Sequence, residues 1–301
     1  MNALTATIRD RVARIRVTPA IPAVLIPLLK LFNVPAERAD MNEIVRLVSY
    51  DNAIAAQCLR VAGSPLFGLA RAPKSISGAV VTLGLNRVKS IVITCCMGQA
   101  FPAKKWPLAP AIFWKHSLGC AMVCRKFAEK LQNADTEKAY VAGLLHDVGF
   151  LVNCIAFPEQ FDAALRRACK DHVALDEAEF STMGFTHSQS GAILTQQWGL
   201  AEEIVEVVGY HHAEEYHGEA RGLVAIVHLS DMLCRMRDLG YGYYENHKAD
   251  LGHDSAWVTL MEKHRELENI DLARFTFELD EAVADIRDLV SMIFGSGPQE
   301  M

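Results

Sequence analysis

TEKAYVAGLLHDVGF, residues 136–150, is the stretch whose reading decides the fold class. Val141, Leu144 and Leu145 stand at the i, i+3, i+4 spacing of one helix face, and Val148 continues the stripe. A globular protein buries such a face, so His146 and Asp147 are carried inward at its end, where a charge needs a partner. Outward from this segment the same period recurs, in Ile44, Leu47 and Val48 and in Leu223, Ile226 and Val227 ahead of Asp231. Strand alternation is nowhere convincing. Expected caps at Asp40, Asp51, Thr136 and Asp176, with stops at Gly84 and Gly199, divide the chain into about a dozen helices joined by short loops. The fold class predicted is all-α.

With 51% hydrophobic and 22% charged residues in 301, the chain has the apolar material for a substantial core. A formal charge of −6 and the absence of a Lys/Arg run argue against nucleic acid. Arg9, Arg11, Arg14 and Arg16 alternate with apolar residues, which suits an amphipathic first helix rather than a signal peptide. Since no uncharged apolar stretch approaches the roughly 20 residues of a membrane span, the expectation is a cytoplasmic protein without a membrane partner. The eight cysteines form no CxxC pair and read as small buried hydrophobes. Cys120 and Cys124, one helical turn apart, leave a soft-metal or redox role as the lesser alternative.

Two composition changes set the expected borders. Pro102, Pro107 and Pro110 break the chain before a helix holding Phe113 to Leu131, and a Gly-, Tyr- and His-rich stretch from Leu239 to Asp254 precedes a helical tail from about Ser255 to Phe294. The organisation expected is an N-terminal helix (1–18), a main domain (19–238) in lobes 19–100 and 101–238, and a C-terminal helical extension (239–301). In that extension Trp257, Leu260, Met261, Leu267, Ile270, Leu279, Val283, Ile286, Leu289 and Val290 repeat at roughly helical spacing. Packing on the core is the simpler reading of them, and a partner or homodimer surface the second.

The candidate chemistry lies in His116, His146-Asp147, His187, His211-His212 and Asp231. Imidazole and carboxylate are ligands for iron, manganese or zinc, and seven exceed what one tetrahedral site requires, so two neighbouring ions are expected. Adjacent residues on a helix point about 100° apart, which lets the two members of a pair serve different ions. The competing reading of Asp231 pairs it with His228 or a nearby Arg and leaves each histidine a hydrogen-bonded core or surface residue.

In order, FWKHS (113–117), AGLLHDVG (142–149), THSQSG (186–191), GYHH (209–212) and HLSD (228–231) resemble the HD superfamily of metal-dependent phosphohydrolases, and most closely its HDOD family. The N-terminal half agrees through PAIPAVLIPLLKL (19–31), YDNAIAAQCLRVAGSPLFG (50–68) and ISGAVVTLGLNRVKSIV (76–92), although Gly63 stands where an Asn is usual before Ser64. The resemblance implies an HD-type helical bundle with an N-terminal helical lobe, used in signal transduction. In the related HD-GYP phosphodiesterases a Lys follows the HDxG turn and a GYP loop follows the His pair. Phe150 and the Ala213-Glu214-Glu215-Tyr216-His217-Gly218 loop depart from both, which disfavours cyclic di-GMP hydrolysis. Ile112 replaces the Glu associated with a third ion, so two ions is the ceiling.

The leading expectation is therefore a bacterial signal-transduction or regulatory output protein carrying a dinuclear centre, most simply of iron, alternatively of manganese or zinc. It would act through a signalling protein partner or a small ligand. The alternative is a phosphohydrolase of nucleotides or phosphate esters, with Asp147 as the catalytic bridging ligand of a metal-bound hydroxide and Lys115 the nearest substitute phosphate contact. A third reading, redox or oxygen sensing at an iron pair, shares the same ligands.

Overall fold

The computed structural model describes residues 3–16, 24–31, 40–49, 51–101, 106–107, 109–131, 134–237, 239–241, 253–264, 267 and 283–293, and among them helices and turns occur without a strand. Following α1 (Ala3–Arg16), a first group comprises α2 (Leu25–Leu31), α3 (Met41–Ser49), α4 (Asn52–Ala62), α5 (Ile76–Leu83) and α6 (Leu85–Ala100). A second comprises α7 (Pro110–Lys130), α8 (Thr136–Leu145), α9 (Val148–Ala156), α10 (Pro158–Asp171), α11 (Leu175–Met183), α12 (His187–Gln197), α13 (Glu202–Tyr210) and α14 (Arg221–Arg235). Then come α15 (Ser255–Lys263) and α16 (283–293).

Local chemistry sets most boundaries. The Asp51 carboxylate accepts from the amides of Ala53 and Ile54 and starts α4, and Gly84, at φ +86°, takes the backbone a side chain would strain between α5 and α6. Two expected caps move. Asp135, not Thr136, accepts from Glu137 and Lys138, and α11 opens at Leu175, with Asp176 inside its first turn. Proline and the described end of α6 at Ala100 place the break before α7 where expected. At Gly63 an added Cβ would lie 2.7 Å from that of Ala72, so the departure from Asn accompanies a close approach at the end of α4.

α6 touches α2, α4 and α5 on one side and α8 on the other, so it is buried nearly all round and the apolar core runs unbroken between the two groups. Across that seam the Ser90 hydroxyl of α6 donates to the Glu137 carboxylate of α8, and Thr94 shares a 2.9 Å hydrogen bond with the Tyr140 hydroxyl. Within the second group Arg125 donates to Glu137 at 2.7 Å and lies over the Tyr140 ring. α1 packs on α9 and α12, burying Ile8 and Val12, while Arg11 donates to the Ala156 carbonyl and covers the Phe157 ring. Its amphipathic pattern thus serves the second group of helices. α15 lies along α14 with Trp257 and Leu260 inward, and α16 buries Ile286, Leu289 and Val290. Those contacts favour the packing reading of the tail; Ile270 and Leu279 lie outside the described residues, as do 242–252 of the Gly- and Tyr-rich stretch.

One helical stretch, Thr136–Ala156, is long and apolar enough to cross a membrane by composition, but it carries Asp147 and 89% of its apolar window is buried within the fold. It breaks into α8 and α9 at the His-Asp pair.

Candidate metal centre

The seven side chains singled out by spacing arrive from five places: His116 from the middle of α7, His146 and Asp147 from the turn between α8 and α9, His187 from the first residue of α12, His211 and His212 from just beyond α13, and Asp231 from α14. Glycine lets these backbones approach. A Cβ at Gly143 would lie 2.8 Å from the Cys120 carbonyl, and at Gly149 it would fall on the His187 carbonyl and 2.7 Å from the Gly191 amide. Without side chains there, α8 closes on α7 and α9 on α12, which brings the His-Asp turn between the other ligating side chains.

Asp147 stands at the middle and faces two ways. Its Oδ2 lies 3.2 Å from His146 Nε2 and 3.5 Å from His116 Nε2, while Oδ1 lies 3.2 Å from both His187 Nε2 and His211 Nε2. On the first side Asp231 Oδ1 is 3.1 Å from His116 Nε2, and on the second His212 Nε2 is 3.1 Å from His187 Nε2. Two sets of donors result, His116, Cys120, His146 and Asp231 in one and Asp147, His187, His211 and His212 in the other, with all ligand atoms of each within 4.8 Å of one another.

The donor chemistry fits a metal. Four rings turn Nδ1 outward to an acceptor: His116 to Leu239 O (2.9 Å), His146 to Gly143 O (2.7 Å), His211 to Val208 O (3.0 Å) and His187 to the Glu179 carboxylate (2.7 Å). A carbonyl can only accept, so Nδ1 carries the proton and the inward Nε2 of the neutral ring presents a lone pair. Two such lone pairs face each other at 3.3 Å between His116 and His146. That contact needs a proton or a cation near it, and nitrogens about 2.1 Å from a common ion lie about 3.0–3.4 Å apart. These residues can hold metal.

Electrostatics lead the same way. Burial would raise the Asp147 carboxyl, but His146, His187 and His211 hold it well below the usual carboxylate range. Burial would raise Asp231 too, and Arg235 and His116 keep it well below. Burial lowers His146 and His187, an effect outweighed by Asp147 for the first and by Glu179 and Asp147 for the second, so both titrate above the ordinary histidine value. His211 is pushed down to about 4, chiefly by burial, and His212 well below normal by burial and by its cationic neighbours. A metal held there would take the place of protons on these rings, so its uptake would be coupled to proton release.

Four participants were not among the expected ligands. Glu179 is fully buried and receives the His187 ring N–H, the His187 amide and the Asn153 amide side chain. Tyr241 donates to Asp147 Oδ2 at 2.7 Å and lies against the His116 and Phe150 rings. Arg235 makes a two-point contact with Asp231 and approaches His212 to 3.4 Å. Cys120 Sγ lies 3.6 Å from His116 Nε2. For Arg235 and Cys120 the i+4 spacing from Asp231 and His116 was a usable signal; Glu179 and Tyr241 lack one in their own neighbourhood.

Part of the competing reading is thereby correct, since an Arg does pair with Asp231, whereas His228 turns to Asp254 and the His211 carbonyl. Phe150, which replaces a phosphate-contacting Lys in the comparison made from sequence, is buried among Phe113, Phe161 and Tyr241 and presents no face to solvent. Lys115 is half-buried, and the cation held against the cluster is Arg235. Glu179→Gln keeps the shape but removes the charge behind His187. Metal affinity, measured by chelator competition, is expected to fall about 10–100-fold, with no change disproving that role.

A helical scaffold that gathers a His-Asp turn, three further histidine positions and a distal aspartate is that of the HD superfamily. The HDOD domain model matches residues 18–214, and the chain belongs to the HDOD family. A Geobacter sulfurreducens HDOD domain protein of unknown function superposes with a TM-score of 0.82 at 27% identity, covering 96% of this chain and 98% of that one. A Shewanella amazonensis protein described as a candidate phosphohydrolase gives 0.73 at 20% identity with 96% and 98% coverage, which shows the shared fold. An uncharacterized Treponema pallidum protein is 26% identical over 249 residues, and the chain spans 45% of its length.

Proposed function

We propose that this chain is a signal-transduction regulator whose buried centre holds two ions, with His116, His146, Asp147 and Asp231 at one and Asp147, His187, His211 and His212 at the other. Iron is the first candidate, manganese and zinc the alternatives, since the imidazole-rich set suits all three. The observation that carries the regulatory reading is closure. His116, His146 and His211 are 0% exposed, Asp147 2%, and His187 and Asp231 3%. Tyr241 and the Leu239 carbonyl cover the Asp147 and His116 side, so from that side a phosphate ester reaches these atoms only by displacing that segment. The centre then works by holding α7, α8, α12, α13 and α14 in register, and the signal is a contact that the outer faces of these helices make with a protein partner or small ligand.

Phosphoester hydrolysis is the second reading, favoured by Arg235. Its guanidinium stands beside His212 at the part-exposed edge of the cluster and could receive an anion on leaving Asp231. Metal ions bound there would polarise a phosphoryl oxygen and acidify water. The deciding experiment loads the protein with Fe(II), Mn(II) or Zn(II), verifies occupancy by elemental analysis and screens phosphate mono- and diesters, cyclic dinucleotides included. Occupancy of about two ions without turnover is expected. Turnover lost in Asp147→Asn would overturn the regulatory reading and establish the second.

A further inference from the structure

The two donor sets differ in one respect that the His/Asp pattern does not contain: the first includes a thiol. Cys120 follows His116 by one turn of α7, so both project from the same helix face toward the α8–α9 turn. Its Sγ is 3.6 Å from His116 Nε2, and it shares with His116, His146 and Asp231 a volume in which every ligand atom is within 4.8 Å of the others. The next thiol along the helix does not share it. Cys124 is in none of the donor groups and hydrogen-bonds with Ser230. Gly143 makes the geometry possible, because α8 there rests directly on the Cys120 carbonyl and carries His146 up to the pair.

We infer that Cys120 is a thiolate ligand of the first metal position, making that site a mixed imidazole, carboxylate and thiolate set while the second stays imidazole and carboxylate only. The inference rests on the metal reading above and deepens it. A soft sulfur donor selects zinc or iron over manganese and magnesium, so the two positions have different metal preferences, and the first is the harder to load with a hard ion. Coordination replaces the S–H bond with a sulfur–metal bond, and the proton leaves to solvent or to a buffer base. Cys234, which hydrogen-bonds with Cys120, would give up that partner as the sulfur turns to an ion.

Cobalt(II) is the probe. Apo-protein is titrated with Co(II) alone while the near-ultraviolet thiolate-to-cobalt charge-transfer band is followed and bound metal is counted. The wild type is expected to develop the band, Cys120→Ser to lose it and to bind the first-position ion at least about tenfold more weakly, and Cys124→Ser to keep it. Cobalt bound by the wild type with no band overturns the thiolate ligand and leaves the metal centre standing. A band that survives Cys120→Ser assigns the sulfur elsewhere and also overturns the inference. Failure of the wild type to bind cobalt, zinc or iron removes the metal reading and the inference with it. If the serine variant does not fold, zinc-edge X-ray absorption of the wild type decides, since a sulfur shell at about 2.3 Å is required and its absence is disproof.

Discussion

Asp147→Asn is expected to abolish retention of both ions, with an affinity loss beyond the roughly 100-fold at the upper end for residues that merely support a ligand. The reason is positional. Among the described residues, Asp147 is the one side chain that presents an oxygen to each donor set, Oδ2 toward His116 and His146 and Oδ1 toward His187 and His211. An amide of the same shape offers one acceptor oxygen and one NH2 group, and the NH2 has no lone pair to give an ion on whichever side it faces. The ion-free protein should suffer as well, because buried imidazoles lose the carboxylate that balances them. Breaking a buried pair costs about 3–5 kcal/mol, which corresponds to a lower melting temperature by about 5–8 °C in a chain of this size. Elemental analysis and melting curves with and without metal separate the two effects. Unchanged metal content in the variant would show that Asp147 is not the shared ligand.

Gly149→Ala is expected to be strongly damaging, against a backbone that cannot give way. The new carbon would sit on the His187 carbonyl and 2.7 Å from the Gly191 amide, and these are backbone atoms with no rotamer to retreat into. α9 and α12 must separate, at a cost of about 3 kcal/mol or somewhat more, or about 5 °C in melting temperature. Because His187 opens α12, the separation also withdraws it from Asp147, so the second donor set should lose metal before the first. Gly222→Ala is the matched control. Its added carbon meets nothing within 4 Å and lies in α14, so helix propensity predicts little change or a small gain. Equal melting temperatures for the two variants would refute the close-approach argument.

How much of this was legible beforehand depends on the range of the interaction that decides each feature. The helix carrying Val141, Leu144 and Leu145 was readable because its periodicity lies within the helix itself, and the Asp51 cap because its acceptors are two and three residues away. The cap expected at Thr136 was displaced by one residue since Asp135 and Thr136 are both competent and only the carboxylate orientation separates them. α6 shows little amphipathy because neighbours cover it on nearly every side, so its burial follows from its place between the two groups of helices.

The candidate site divides along the same line. By itself the sequence determined an all-α chain and a set of seven imidazole and carboxylate residues, because residue identity, helical spacing and the order of short motifs are properties of neighbours on the chain. Only the tertiary structure decided that Asp147 faces both donor sets, that Cys120 joins one of them, and that Glu179 and Tyr241 stand behind the cluster from 8 residues away (His187) and 94 residues away (Asp147). It alone also decided that six of the seven are closed off from solvent while His212 stands at a part-exposed edge. Closure arises from packing α7, α8 and α14 together and folding residues 239–241 over them, a sum of many distributed contacts that no local pattern encodes.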